Sequence, residues 1–373
     1  MTGIICFWDR YATPYLSKYE SLLDEQNAEY EVVFWNRLTE PAETTVTQEG
    51  HFVYINKFCK EGKAKITSFV GWRHECIKIL RQKKYDNLIL LSTVPAILLE
   101  DYVLRYYKNR YIFDIRDYTL EANWLFRKMV MMLVKNSCLT PISSKGYLTW
   151  LDPSDKFMVN HNITIGNSIN LDVPDFAEDK PIRFSFVGNV RLDTQTRAML
   201  ITLGKSRQIE QHYYGRVLAN CDIEQIVQDL QLTNVVLHGP FNRDDKNEIY
   251  RTESFHVLEN GLGDGGIEEI AEREEDIPLG DSTPLPNRLY DALVFYRPLV
   301  TSKGTYLAKL ADEYHLGVNI NGFDKNIERQ IVDYIRHFDK RLFKNGCDRL
   351  RKEVMAEEER FVNTITKIFN SWK

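Results

Sequence analysis

Between Pro284 and Val300 the chain reads PLPNRLYDALVFYRPLV, and these residue types at this spacing suit the binding of an anion. Two prolines stop regular structure, Asn287 is a good N-cap, and RLYDALVFY then runs as about two and a half turns of helix before Pro298 opens a strand. A helix start carries free N–H groups and the positive end of the dipole, which favour a phosphate. Arg288 in the first turn adds a guanidinium capable of forked contacts. Asp291, one turn in, is placed to accept hydrogen bonds from the vicinal hydroxyls of a sugar, while Leu289, Ala292 and Leu293 make the packing face. The same residues also describe an N-capped core helix whose Arg288 and Asp291 pair on the surface.

Such a site needs a rigid edge to stand on, and the rest of the chain predicts two. Short runs rich in Ile, Val, Phe and Leu alternate with longer helical patterns, the signature of βα units around a parallel sheet. The first half predicts strands at 3–8, 31–35, 87–92, 111–115, 138–142 and 157–160, with helices near 13–27, 66–82, 95–107 and 120–135. The second half predicts strands at 182–187, 211–215, 234–238, 254–258, 298–302 and 316–320. The stretch 166–181 (GNSINLDVPDFAEDKP) has no apolar period and two prolines, which puts the domain boundary near residue 170.

Ligands of an open parallel sheet bind outside the carboxyl ends of its strands. In the second half this rule selects Gly188, Asn189 and Arg191 (FVGNVR), Gly239 to Asn242 (GPFN), Glu259 and Asn260, and Lys303 to Thr305. Gly188 lets backbone N–H groups approach a diphosphate to which Arg191 adds charge, or it is a tight turn beside a solvated cation. Gly239 with Pro240 is equally a turn before a helix. In the first half the rule selects Asp9, Arg10 and Thr13, then Ser92 and Thr93, Arg116 and Asp117, and Ser143, Ser144 and Lys145. Asp9 and Asp117 stand where acid/base carboxylates belong, at hydrogen-bond distance from a reacting hydroxyl; an Asp–Arg pair there is also a common ion pair or helix cap. His161, beyond the last strand of this half, reads as a hydrogen-bonding residue rather than a base.

With 373 residues, 43% hydrophobic and 27% charged, the chain is long enough for two ordinary α/β domains. A net charge of −5 argues against a nucleic-acid partner, which demands a concentrated basic face. The six scattered cysteines form no CxxC pair and no zinc-ligand spacing, so no disulfide framework or structural metal is expected and a reducing cytoplasm fits. Residues 1–8 lack the parts of a secretory signal, and no segment has 18 uncharged apolar residues to span a bilayer. Two segments stand apart. The acidic, glycine-rich stretch 261–281 is too long for a routine connection and reads as a solvated loop or as a lid. Trp124–Lys135 (WLFRKMVMMLVK) is apolar with three basic residues; its plainer reading is a helix between sheet and solvent, its alternative a peripheral contact with an anionic membrane.

The order FDIRDY, ISSKGYLTWL, VNHNI in the first half and FVGNVR, LHGPF, PLPNRLYDALVFYRPLV in the second resembles a GT-B glycosyltransferase of the family-4-like type that assembles bacterial capsular and exopolysaccharides. The resemblance covers nearly the whole chain. It implies two Rossmann-like domains facing across a cleft: 1–170 for the acceptor, 171–355 for the nucleotide-sugar donor, and 356–373 as a helix crossing back. It implies transfer of a sugar from a UDP-, GDP- or dTDP-sugar to a glycan, carried on a polyprenyl diphosphate at the inner membrane face. Donor contacts then fall to Gly188, Asn189, Arg191, Gly239, Asn287, Arg288, Asp291 and Lys303, and catalysis to Asp117, Asp9 and Arg116. No cofactor or metal is expected, since basic groups and the helix dipole neutralise the departing diphosphate. Many retaining members carry two glutamates separated by seven intervening residues; here Asp291 matches the second and Thr283 stands at the first, a departure that leaves the stereochemical course open. The alternatives are a nucleotide-sugar epimerase of the same fold and a non-catalytic glycan- or nucleotide-binding partner in an assembly complex.

Overall fold

The computed structural model describes residues 1–7, 13, 15–38, 40, 43–59, 65–162, 172–176, 181–218, 221–252, 255–257 and 282–372. The predicted site residues Asp9, Arg10, Glu259 and Asn260, and the stretch 261–281, lie outside them. The chain divides into two units, Met1–Asn162 with Ala356–Lys373, and Ile163–Met355.

In unit 1, β1 (Thr2–Ile5), β2 (Tyr30–Leu38), β4 (Phe52–Phe58), β5 (Asn87–Leu91) and β6 (Tyr111–Asp114) run parallel, with β3 (Val46–Glu49) antiparallel on the edge, in the order β3-β4-β2-β1-β5-β6. Short bridges carry the sheet on from β6 to β7 (Thr140–Ile142), which pairs with β8 (Phe157–Val159). Every residue of β1 and β5 is buried, as expected of parallel strands covered on both faces. The β3–β4 hairpin was not predicted. Glu49 pairs with Phe52 across a two-residue loop in which Gly50 holds φ +60°, the Gly-X chemistry of a tight hairpin.

The helices α1 (Leu16–Asp24), α2 (Ile66–Lys83), α3 (Thr93–Leu98), α4 (Glu100–Tyr106) and α5 (Trp124–Asn136) cover this sheet. On α2 the buried set Trp72, Cys76, Ile77, Ile79 and Leu80 recurs at helical spacing and faces the sheet. The helix predicted over 95–107 is two helices, because the fully buried Leu99 leaves helical geometry (φ −108°, ψ 4°) between α3 and α4.

Unit 2 has β9 (Ile182–Val187), β10 (Ile209–Tyr214), β11 (Val235–Gly239), β12 (Phe255–Val257), β13 (Leu299–Ser302) and β14 (Gly317–Ile320), all parallel in the order β11-β10-β9-β12-β13-β14. This is the doubly wound order, reversing between β9 and β12; with β3 set aside, unit 1 repeats it and reverses between β1 and β5. Among the described residues it also has the helices α6 (Thr194–Leu203), α7 (Ile223–Asp229), α8 (Lys246–Thr252), α9 (Arg288–Phe295), α10 (Tyr306–Glu313) and α11 (Ile327–Arg336). A last helix, α12 (Lys340–Ser371), buries Phe343, Cys347, Leu350 and Val354 in the core of unit 2. Further on, its Phe361, Ile365 and Phe369 join the core of unit 1 beside Ile4, Tyr19 and Ile112.

Candidate functional site

The reversal of strand order marks where each sheet can receive a ligand. In unit 2 that point lies at the end of β9, where Gly188 adopts φ +152°. Its N–H donates to Tyr214 O at 2.9 Å, and the N–H of Gly215 donates to Gly239 O at 2.8 Å, so three strand ends are laced together. The lacing requires glycine. A Cβ on Gly215 would lie 1.7 Å from the carbonyl oxygen of Gly188. A Cβ on Gly188 would come within 4.0 Å of Nε of Arg288, whose guanidinium lies 4.0 Å from the centre of the Phe186 ring. The switch-point backbone and an arginine at the start of α9 are thereby neighbours, held by an aromatic face the sequence did not single out.

The start of α9 differs from expectation in two respects. Asn287 has helical angles (φ −57°, ψ −26°) and its side chain makes no cap hydrogen bond. The N–H groups of Leu289 and Tyr290 already donate to the carbonyls of Pro286 and Asn287, so the start of α9 offers fewer free donors than the sequence predicts. Among the described residues Asp291 does not form the alternative pair with Arg288. Its Oδ2 accepts from Lys246 Nζ at 2.7 Å and from the Tyr250 hydroxyl at 3.2 Å. Burial, reinforced by the Asp291 charge, pushes the Tyr250 hydroxyl well above its ordinary pKa, so it stays a donor. Lys246 and Tyr250 were missed because they lie on α8, far from Asp291 in sequence. Leu289, Ala292 and Leu293 are buried as predicted. Asn189 and Arg191 are exposed past β9, and Lys303 is exposed past β13. Gly239, with φ +76°, has open space where a Cβ would stand. Thr283 is buried.

In unit 1 the end of β6 carries a buried polar knot. Asp114 is fully buried and its Oδ2 accepts from the Tyr19 hydroxyl at 2.5 Å, Arg116 Nη2 at 2.6 Å and Asn160 Nδ2 at 3.1 Å. Arg116 also donates from Nη1 to Asn160 O at 3.2 Å and to Asn162 Oδ1 at 2.6 Å, and its guanidinium lies 4.3 Å from the centre of the Tyr15 ring. Burial alone would lower the Arg116 pKa; Asp114 and the other partners outweigh it and hold the guanidinium firmly charged. Arg116, predicted as a catalytic residue, is thus held by protein groups on both terminal nitrogens.

Asp117 is exposed, although the protein around it displaces much of its water. That desolvation raises its pKa, with Arg116 opposing and Asp114 adding to the rise. At the sheet's switch point Ser92, past β5, holds φ +82° and ψ 157°, a conformation costing about 1–3 kcal/mol for a residue with a side chain. Next to it, the Thr93 hydroxyl lies 3.1 Å from that of Thr119. His161 is a hydrogen-bonding residue: its Nε2 meets Glu357 of α12 at 2.8 Å, and Lys145 pairs with the same carboxylate. Lys18 joins Glu358 at 2.6 Å, so polar contacts as well as apolar ones seat the end of α12 on unit 1.

No family model matches the sequence, and no curated protein sequence matches it. Solved structures do. Sucrose-phosphate synthase from Thermosynechococcus elongatus superposes with a TM-score of 0.67 at 13% identity, over 99% of this chain and 98% of that one. A lipopolysaccharide outer core galactosyltransferase matches with a TM-score of 0.65 at 12% identity, over 98% and 99% of the two chains. The Anabaena protein HepE, solved with UDP and glucose, matches with a TM-score of 0.60 at 10% identity, again over 98% and 99%. The fold is GT-B. Its two Rossmann-like domains are the two doubly wound sheets described above. In GT-B terms, Gly188 and Arg288 lie at the switch point of the second domain, and Ser92 at that of the first.

Proposed function

We propose that the chain is a glycosyltransferase that takes a sugar from a nucleotide-sugar donor held by unit 2. The carrying observation is the juxtaposition of Gly188 with the Arg288 guanidinium, which offers close backbone approach and a fixed cation at one point, as a diphosphate requires. The solved relatives support the choice of ligand: one is a galactosyltransferase and HepE holds UDP and glucose. Arg288 neutralises charge on the departing diphosphate, with Arg191 and Lys303 as further basic groups, and no metal is needed. Asp117, its pKa raised by desolvation, is the acid/base candidate in unit 1, and the sequence adds Asp9 to it. The acceptor is a glycan on a lipid carrier, reached at the cytoplasmic face of a membrane, in the synthesis of a surface polysaccharide.

Thermal-shift titration with UDP, GDP and dTDP tests the donor site. Saturation at a hundred times the dissociation constant should stabilise the fold by about 2.7 kcal/mol. Arg288→Ala should weaken binding about ten- to a hundredfold, the worth of a charge-assisted hydrogen bond. No shift with any nucleotide would remove the proposal. Product analysis with UDP-, GDP- and dTDP-sugars then decides the reaction, since an epimerised donor without acceptor would replace transfer by epimerisation. Undiminished turnover in EDTA is expected.

A further inference from the structure

Helix α5 presents a face the proposed reaction does not use. Its buried side is apolar, with Val130, Leu133 and Val134 in the core of unit 1. On its other side every exposed residue is either bulky and apolar or cationic: Trp124, Leu125, Arg127, Lys128, Met132 and Lys135. Trp124 is 69% exposed, Leu125 52% and Met132 43%, and Leu120 just ahead of the helix is 59% exposed. No acidic residue occurs between Ala122 and Asn136, and among the described residues none of the three basic side chains forms an ion pair.

A helix that merely faces water would carry acids and amides on that side, interspersed with its bases. Here the residues follow the rule of an interfacial helix instead. Apolar groups are free to enter the acyl boundary, and arginine and lysine stems lie along it with their heads at the phosphate level. The chain as a whole carries a net charge of −5, so three unopposed cations on one face run against its average and complement an anionic surface. Among the described residues no helix is long and apolar enough to cross a membrane, which leaves lying on the surface as the geometry open to α5.

We propose that the exposed face of α5 docks unit 1 on a bilayer containing anionic lipid, with Trp124, Leu125 and Met132 inserted and Arg127, Lys128 and Lys135 against the headgroups. The proposal deepens the proposed function, on which it rests for a lipid-borne acceptor, by naming the surface that meets the membrane.

Co-sedimentation of the full chain with vesicles tests it. Binding is expected to vesicles of phosphatidylcholine with 30% phosphatidylglycerol, to weaken as salt is raised, and to be absent on phosphatidylcholine alone. Replacing Arg127, Lys128 and Lys135 by glutamine should cut partitioning on the order of a hundredfold, about fivefold per basic residue. Trp124→Ser with Leu125→Ser should also lower it, while leaving its salt dependence in place. All five side chains are exposed, so melting temperature and the nucleotide thermal shift should stay unchanged in both variants, which separates failure of docking from failure of the donor site. Absence of binding to anionic vesicles, or binding that neither variant weakens, overturns the proposal. So does a self-associated wild type that the Trp124/Leu125 variant dissociates without any effect on vesicles, since the face then belongs to a second copy.

Discussion

Asp114→Asn isolates what the buried knot at the end of β6 contributes. The substitution keeps shape and removes one negative charge, leaving the Arg116 guanidinium buried without a counter-ion; the two side chains are 0% and 2% exposed, so solvent cannot take over. Breaking a buried pair from one side costs about 3–5 kcal/mol. Unit 1 has roughly 180 residues, a size at which each kcal/mol moves the midpoint by about 2–4 °C, so its transition should fall by about 6–20 °C. Differential scanning calorimetry of the full chain reads this, because the two units need not melt together. The partner experiment is the double variant Asp114→Leu with Arg116→Met, which removes both charges and should recover at least half of the loss. A loss under about 1 kcal/mol for Asp114→Asn, or a double variant that is simply additive, would refute the account of the knot as a mutually dependent pair. The same double variant addresses catalysis: a stable but inactive protein would tie transfer to the Asp114–Arg116 pair, and retained transfer would limit the pair, Arg116 included, to a structural role.

Gly215→Ala should destabilise unit 2 and weaken nucleotide binding together, because its Cβ would lie 1.7 Å from Gly188 O and must displace the switch-point backbone. Gly50→Ala, where φ is +60° but space is open, should cost about 1 kcal/mol in stability and nothing in binding; equal effects of the two on nucleotide affinity would contradict the assignment. For Glu357, burial alone would raise the pKa, but hydrogen bonds and charge from His161 and Lys145 hold it at about 2. A depressed carboxylate stabilises fully above its unfolded value, near 4.5, and loses that contribution as pH falls through about 2. Hydrogen exchange at Phe361 and Ile365, corrected for the intrinsic rate, should therefore rise across that window, and Glu357→Gln should flatten the response.

The parallel-sheet class was legible because strands such as the fully buried NLILL and the largely buried IRFSFV are dense in apolar residues and bounded by turns, a local property that needs no partner. Gly188 and Arg288 were legible for a related reason, since a strand end and a helix start are marked in one dimension. The β3–β4 hairpin escaped because its edge strand, VTQE, is mostly exposed and gains its strand character from pairing with β4. Asp114 escaped for a deeper reason. In FDIRDY the carboxylates of Asp114 and Asp117 are alike in sequence, and only Tyr19, 95 residues away, and Asn160, 46 residues away, bury one while the other reaches solvent. Likewise Asp291 was read as an acceptor for sugar hydroxyls, with a pair to its helix neighbour Arg288 as the alternative, whereas the fold gives it Lys246 and Tyr250 from α8 and lays Arg288 across Phe186. Residue type and periodicity determine which elements form, because apolar burial acts locally along the chain. Which charge meets which is decided by how the elements pack, since Coulomb and hydrogen-bond partners are chosen by distance in space.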